Sequence, residues 1–171
     1  LSLGPNFTRD HNNTQWFGNF TDTTGTTAGV THYSFAHLDQ RTISMSMRLN
    51  YTATPNLTFE FYGQPFVSTG TYGDIREVSS TPGAAKYDDR FVAYTPPAGT
   101  KTQFKYTQLR TNTVVRWEYR PGSTLFVVWT QGRQDDSNQN PDQSWTHDYR
   151  DLFGLHPDNT FLVKLAYWLS R

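Results

Sequence analysis

The sequence predicts an all-β fold: an antiparallel up-and-down transmembrane β-barrel, or the C-terminal six strands of a larger barrel. Three observations lead there. Residues 42–64 alternate with period two, Ile43, Met45, Met47, Leu49 and Tyr51 against Thr42, Ser44, Ser46, Arg48, Asn50 and Thr52. Past Pro55-Asn56 the pattern resumes, with Leu57, Phe59 and Phe61 against Thr58, Glu60, Tyr62 and Gln64. Two such runs around a Pro-Asn turn make a hairpin with one apolar and one polar face. The connections between expected strands alternate in length, with short turns at one end and long loops at the other, the layout of an outer-membrane barrel. Finally, Tyr51, Trp117, Tyr119, Tyr167 and Trp168 all fall at the short-turn end of their strands, where a membrane–water aromatic girdle belongs.

Taken in order, the six strands are expected at about 1–21, 31–52, 57–67, 101–120, 124–133 and 160–169 of a single domain spanning 1–171. The first is interrupted at Asp10-His11-Asn12-Asn13, a bulge or a turn. In the second, Tyr33 and Tyr51 share parity, which implies one strand of roughly 20 residues against the usual 5–6 of a globular sheet. The third follows the Pro-Asn turn. The fourth carries Val115, Trp117 and Tyr119 on one face and Val114, Arg116 and Glu118 on the other. Arg120-Pro121-Gly122-Ser123 supplies a tight turn into the fifth, with Leu125, Val127 and Trp129. The sixth alternates Phe161, Val163, Leu165, Tyr167 and Leu169 with Leu162, Lys164, Ala166 and Trp168. The long loops are then 22–30, 68–100 and 134–159, the last with room for a short helix at 147–153.

The totals limit the alternatives. Fifteen basic residues balance fifteen acidic ones, so nucleic acid is not an indicated partner. There is no cysteine, hence neither a disulfide nor a thiolate metal site. No run of apolar residues is long enough for a transmembrane helix. The mean hydropathy of −0.70 resembles that of a water-soluble protein, but barrels alternate and also average polar. Aromatic residues at 16 % favour strands. The chain opens on Leu1-Ser2-Leu3-Gly4 without Met or signal peptide and reads as a processed protein or a fragment.

The residues 37–44 (HLDQRTIS), 48–52 (RLNYT), 55–57 (PNL) and 64–68 (QPFVS) form one recognisable set. A second comprises 116–123 (RWEYRPGS), Trp129 and 131–133 (QGR), and 161–165 (FLVKL) with Tyr167-Trp168 closes the chain. Together, from about Tyr33 onward and in this order, they resemble the C-terminal part of bacterial surface proteins in which a carbohydrate-binding-like module of the family-nine type precedes a domain of unknown function thought to be an outer-membrane barrel. The resemblance implies an outer-membrane location and a missing N-terminal portion, and carries no catalytic residue. Ser170-Arg171 departs from the aromatic last residue common in such barrels.

Candidate functional residues follow from the two faces. Arg48, Glu60, Arg116, Glu118 and Lys164 share the polar face and would be directed to the lumen, with Arg48 opposite Glu60 if Tyr51 pairs with Leu57. Such pairs contribute only ~0.2–1 kcal/mol each, and a salt-bridged interior without a transport role is favoured over a lumen used by a solute. Loop aromatics Tyr72, Tyr87, Phe91, Tyr94, Trp145 and Tyr149 could stack on a glycan or anchor the loops to one another. Asp136-Ser137-Asn138-Gln139-Asn140 opens like a calcium loop, but Pro141 and His147 stand where Gly and Glu are required. His147, Asp148, Asp151 and His156 cluster without an HExxH, and no metal or other cofactor is expected. No nucleophile motif or phosphate loop exists, and the pairs Asp88-Asp89 and Asp135-Asp136 sit in polar loops, so no enzyme activity is expected. Five Asn-x-Thr triplets begin at Asn6, Asn12, Asn19, Asn50 and Asn56.

The expected function is therefore a bacterial outer-membrane scaffold, pore or surface-binding component. Its partners would be the lipid bilayer, further N-terminal strands or other chains that close the barrel, and a glycan or small solute. The alternatives are a soluble all-β carbohydrate-binding module using loop aromatics and, last, an envelope hydrolase using loop carboxylates.

Overall fold

The computed structural model describes residues 1–136 and 144–169. One antiparallel sheet contains every strand: β1 (Ser2–Thr21), β2 (Thr31–Thr54), β3 (Leu57–Val78), β4 (Phe91–Ala93), β5 (Gln103–Arg120), β6 (Ser123–Asp135) and β7 (Asp158–Ala166). The order is β1-β2-β3-β5-β6-β7, a meander of sequential neighbours, and β4 pairs with the stretch of β3 at Arg76–Val78 that β5 does not reach. A helix, α1 (Trp145–Gly154), lies between β6 and β7 in sequence. β1 and β7 do not pair with each other, so the sheet is open and the barrel expected from the sequence is not closed by this chain.

β2 and β3 are the longest strands, with 24 and 22 residues. The Asp10–Asn13 interruption is a bulge: β1 continues through it, with register shifts at Asn12/Gln15 and Trp16/Gly18. The largest departure from the sequence reading is in the segment expected as loop 68–100. β3 continues to Val78, so strand covers its first third. Ser68, Thr69, Gly70, Thr71, Gly73 and Asp74 have no apolar alternation. Ser68 to Thr71 are nevertheless paired with β2 on one side and β5 on the other, and Gly73 with β2, and pairing outweighs poor intrinsic preference. Two features make the stretch workable. Gly70 lies opposite Phe104, whose ring covers the site a Cβ would occupy, so an aromatic ring shields the glycine. Asp74 takes a positive φ of 47°, next to the register shift at Phe35/His37.

The short turns are tight. Thr54 pairs with Leu57, leaving Pro55-Asn56 as the loop, and Arg120 pairs with Ser123 around Pro121-Gly122, where Gly122 has φ 75°. Tyr51 therefore pairs with Phe59 rather than Leu57. The shift is two residues, so every side chain keeps the face expected of it.

Little of the molecule is buried. The core consists of Val67, Leu109 and Leu152, with Tyr149 and Leu155 packed against them; a second buried row, Ser34, Ala36 and Leu38, lies along β2.

Candidate functional site

Cross-strand register sorts the side chains into two continuous faces. On the odd-numbered face, Leu57, Trp117, Leu125 and Leu165 form the row nearest the short turns. Next come Tyr51, Phe59, Val115, Val127 and Val163, then Leu49, Phe61, Thr113, Trp129 and Phe161. Leu3, Pro5 and Phe7 of β1 extend the face beside Met47, Met45 and Ile43. Ring contacts agree with the register: Tyr51 meets Phe59 at 6.4 Å between centroids, and Trp129 stacks on Phe161 at 5.8 Å. None of these side chains is charged. Phe7, Phe161 and Val163 are about two-thirds exposed (65 %, 68 % and 67 %), so the apolar patch is contiguous and wet, far beyond what a soluble monomer ordinarily presents.

The same face changes character toward the long loops. Arg9, His11, Asp39 and Arg41 occupy odd positions there, with His11 Nδ1 at 2.9 Å and Arg9 at 3.8 Å from Asp39. The His11 hydrogen bond, then the cationic Arg9 and Arg41, hold the Asp39 carboxyl below its usual pKa. At the boundary lies α1, crossing the strands. Leu152 is fully buried against Val67 and Leu109, and Tyr149 and Trp145 stand across an open cleft from Phe7, Ile43 and Met45 of β1 and β2. An ion pair between Lys105 of β5 and Asp148 of α1, each side chain 3 % exposed, fastens the helix to the sheet. Its C-terminal carbonyls at Phe153 and Leu155 accept hydrogen bonds from Arg133 of β6, the charge that a helix C-terminus favours.

The even-numbered face is mixed. Arg48, Glu60, Arg116, Glu118 and Lys164 all lie on it. The pairing places Arg48 opposite Tyr62 and Asn50 opposite Glu60, so Arg48 and Glu60 are diagonal neighbours rather than the direct pair expected. Arg48 lies 5.4 Å from the centroid of the Tyr62 ring, and Arg116 is 3.4 Å from Glu118 on its own strand. A hollow of about 290 Å³ runs between Arg48, Asn50, Glu60, Tyr62, Asn112 and Val114. Lys164 lies opposite Phe126 and is exposed.

The five aromatics Tyr51, Trp117, Tyr119, Tyr167 and Trp168 are all at the short-turn end. Trp117 and Tyr119 meet edge to face at 6.0 Å, Arg120 donates to the Tyr167 hydroxyl at 3.1 Å, and Trp168 folds back on the Arg120–Ser123 turn, its backbone N–H donating to Ser123 Oγ.

Among the proposed glycan contacts, Tyr72 is a strand residue, not a loop residue. It packs between Phe17 and Phe104, because β3 continues through it. Tyr87 and Phe91 pack on each other and on Arg76, which ties the loop that follows β3 to the sheet. Tyr94 stacks on His32 at 4.9 Å. Trp145 and Tyr149 are together, but on α1 and away from the others. These residues do not converge on one site. His32 bridges two carboxylates, Glu77 at 2.5 Å and Asp22 at 3.4 Å, which engages both ring nitrogens and leaves no lone pair for a metal. The Glu77 hydrogen bond raises the His32 pKa, and the Thr27 and His32 hydrogen bonds lower that of Asp22. No group of three or more metal-ligating side chains is arranged to hold an ion among the described residues. His147 and Asp151 pair at 3.5 Å on one face of α1. Most of the calcium-like segment, and Ser170-Arg171, lie outside the described residues.

The helix expected at 147–153 is present as α1, but the sequence reading did not identify the face it packs on the sheet. The signal was present: Trp145, Asp148, Tyr149 and Leu152 follow the i, i+3, i+4, i+7 spacing of one helix face.

A family described as a domain of unknown function, DUF5916, matches residues 1–170. No curated protein and no solved structure matches the chain.

Proposed function

The chain belongs to the DUF5916 family, whose description carries no activity, and from the geometry we propose that it forms part of the wall of an outer-membrane β-barrel. The odd face meets lipid, and the even face, with Arg48, Glu60, Arg116, Glu118 and Lys164, lines the interior. The observation that carries this reading is the change along the odd face: mostly apolar from the short turns to the row of Leu49 and Phe161, uncharged through the next row of Met47, Thr111, Gln131 and Asn159, and charged at Arg9, His11, Asp39 and Arg41 beyond α1. From Tyr51 to Ile43 the strand rises about 26 Å at ~3.3 Å per residue, or about 20 Å across the membrane at a tilt of ~40°, near the ~25 Å apolar band of such barrels. Strands of 20 residues and more then project well past the bilayer and carry the long loops outward.

Six long strands are fewer than the eight of the smallest usual barrels, and unpaired backbone along β1 and β7 is costly in lipid. Closure therefore recruits further strands, from the same polypeptide or from other chains. The role is that of a scaffold or pore, with the long-loop end as the surface-binding part. The test is partition: the protein should fractionate with membranes and stay monodisperse only in detergent. A folded, monodisperse protein in plain buffer defeats the reading.

A further inference from the structure

On the odd face of β1 and β2, two arginines stand directly opposite each other: Arg9 pairs with Arg41 in the antiparallel register. Opposed residues on one face of such a ladder have Cβ atoms about 4.5–5.5 Å apart, and like charges there repel. Both residues are exposed, Arg9 with 63 % of its side chain open to solvent. The carboxylate of Asp39, one row nearer the long loops, is engaged by His11 at 2.9 Å and by Arg9 at 3.8 Å. Arg41 makes no hydrogen bond or ion pair among the described residues. Its neighbour on the other side, Thr69, is neutral, and the next cation in the row, Lys105, is buried with Asp148 of α1. Two positive charges against the one negative charge of Asp39 leave an unbalanced cation at this pair.

We propose that the Arg9–Arg41 pair binds the phosphate of a membrane-lipid headgroup, with the phosphate oxygens between the two guanidinium groups. This rests on the membrane reading above. Two features favour a lipid phosphate. The first is level. Phe7 and Ile43, the pair one row nearer the short turns, are apolar, and Phe7 is 65 % exposed. Two residues along a strand span roughly 7 Å, or about 5 Å across the membrane at a tilt of ~40°. The guanidinium groups therefore stand just past the end of the apolar band, where acyl chains give way to headgroups. The second is charge. Guanidinium groups bind phosphate through paired, charge-assisted hydrogen bonds. An anion between Arg9 and Arg41 turns a repulsive cross-strand pair into an attractive one.

The probe is phosphatidic acid, added to the protein in micelles of a phosphate-free maltoside detergent, with bound lipid counted by native mass spectrometry. Digalactosyl diacylglycerol, which has acyl chains but no phosphate, is the control lipid. The expected result is retention of phosphatidic acid over the galactolipid, weakened several-fold by Arg9→Gln and by Arg41→Gln. Lys86→Gln, which removes the same charge from the exposed segment between β3 and β4, should leave retention unchanged. Melting gives a second readout. Without phosphatidic acid, Arg41→Gln should melt no lower than the unmodified protein, because the repulsion is relieved; with it, only the unmodified protein should gain Tm. A lower Tm of Arg41→Gln without lipid overturns the proposal in favour of a structural role for the pair. Equal retention of the galactolipid, an equal loss in Lys86→Gln, or displacement by millimolar inorganic phosphate also overturns it. If no phosphatidic acid is retained by a protein that still requires detergent, the phosphate site is overturned while the membrane reading stands. If the protein stays folded and monodisperse once detergent is withdrawn, the membrane reading itself fails.

Discussion

Met47 stands mid-face between Leu3 of β1 and Gly63 of β3, at a position where the side chain either meets hydrocarbon or meets water. On a lipid face near mid-bilayer, Met47→Arg should cost ~2–4 kcal/mol, read as a lower urea midpoint for the protein in vesicles. The neighbouring Arg48→Met, on the even face, should leave that midpoint nearly unchanged. At the other end of the strand, His32 between Glu77 and Asp22 makes the loop region pH-dependent. Its pKa is raised in the folded protein, so its stabilising contribution is fully present below about 6.5, the ordinary histidine value, and is lost as pH rises through the raised one. The His32→Gln variant should therefore melt below the unmodified protein at pH 6, and the gap should close toward alkaline pH. A gap that widens with pH would contradict the assignment.

At the scale of elements, the helix and the sheet are joined by few contacts, of which the Lys105–Asp148 ion pair is the most buried. Removing one partner leaves an uncompensated buried charge, so Lys105→Ala should destabilise by about 3–5 kcal/mol and open α1 to trypsin at Arg150. The double replacement Lys105→Met with Asp148→Leu should restore protection, since an apolar pair of similar volume removes both charges. Elements differed in how readily the sequence disclosed them. The hairpin, its faces and its tight turns were legible because Ile43–Tyr51 and Leu57–Phe61 carry both alternation and β-forming side chains. The second half of β3 was not. Ser68–Thr71 is held by pairing with β2 and β5, and Tyr72 and Gly73 by pairing with β2, partners far away in sequence that no local pattern encodes. Tyr72, read from the sequence as a loop contact, is a strand residue for the same reason. The two-residue error at Arg48 and Glu60 arose from the turn length alone, and because it was even it left the faces intact.

For the whole molecule, an open sheet with an exposed apolar face and two unpaired edges is unstable as an isolated object in water. On the proposed reading, the bilayer and additional strands would resolve both problems together. What the sequence showed of the candidate surface was its chemistry; what it hid was the boundary, because Val67, Leu109 and Leu152 are distant along the chain and meet only where α1 crosses the strands. The central claim is that odd positions face lipid and even positions face the interior. The chain has no cysteine, so a single Cys can be placed at Met47, Arg48, Leu49 or Asn50 in turn and labelled with a nitroxide. In vesicles, collisions with dissolved oxygen, which concentrates in hydrocarbon, should peak at positions 47 and 49, and collisions with a water-soluble nickel chelate at 48 and 50. A flat profile, or chelate access highest at 47 and 49, would contradict the account.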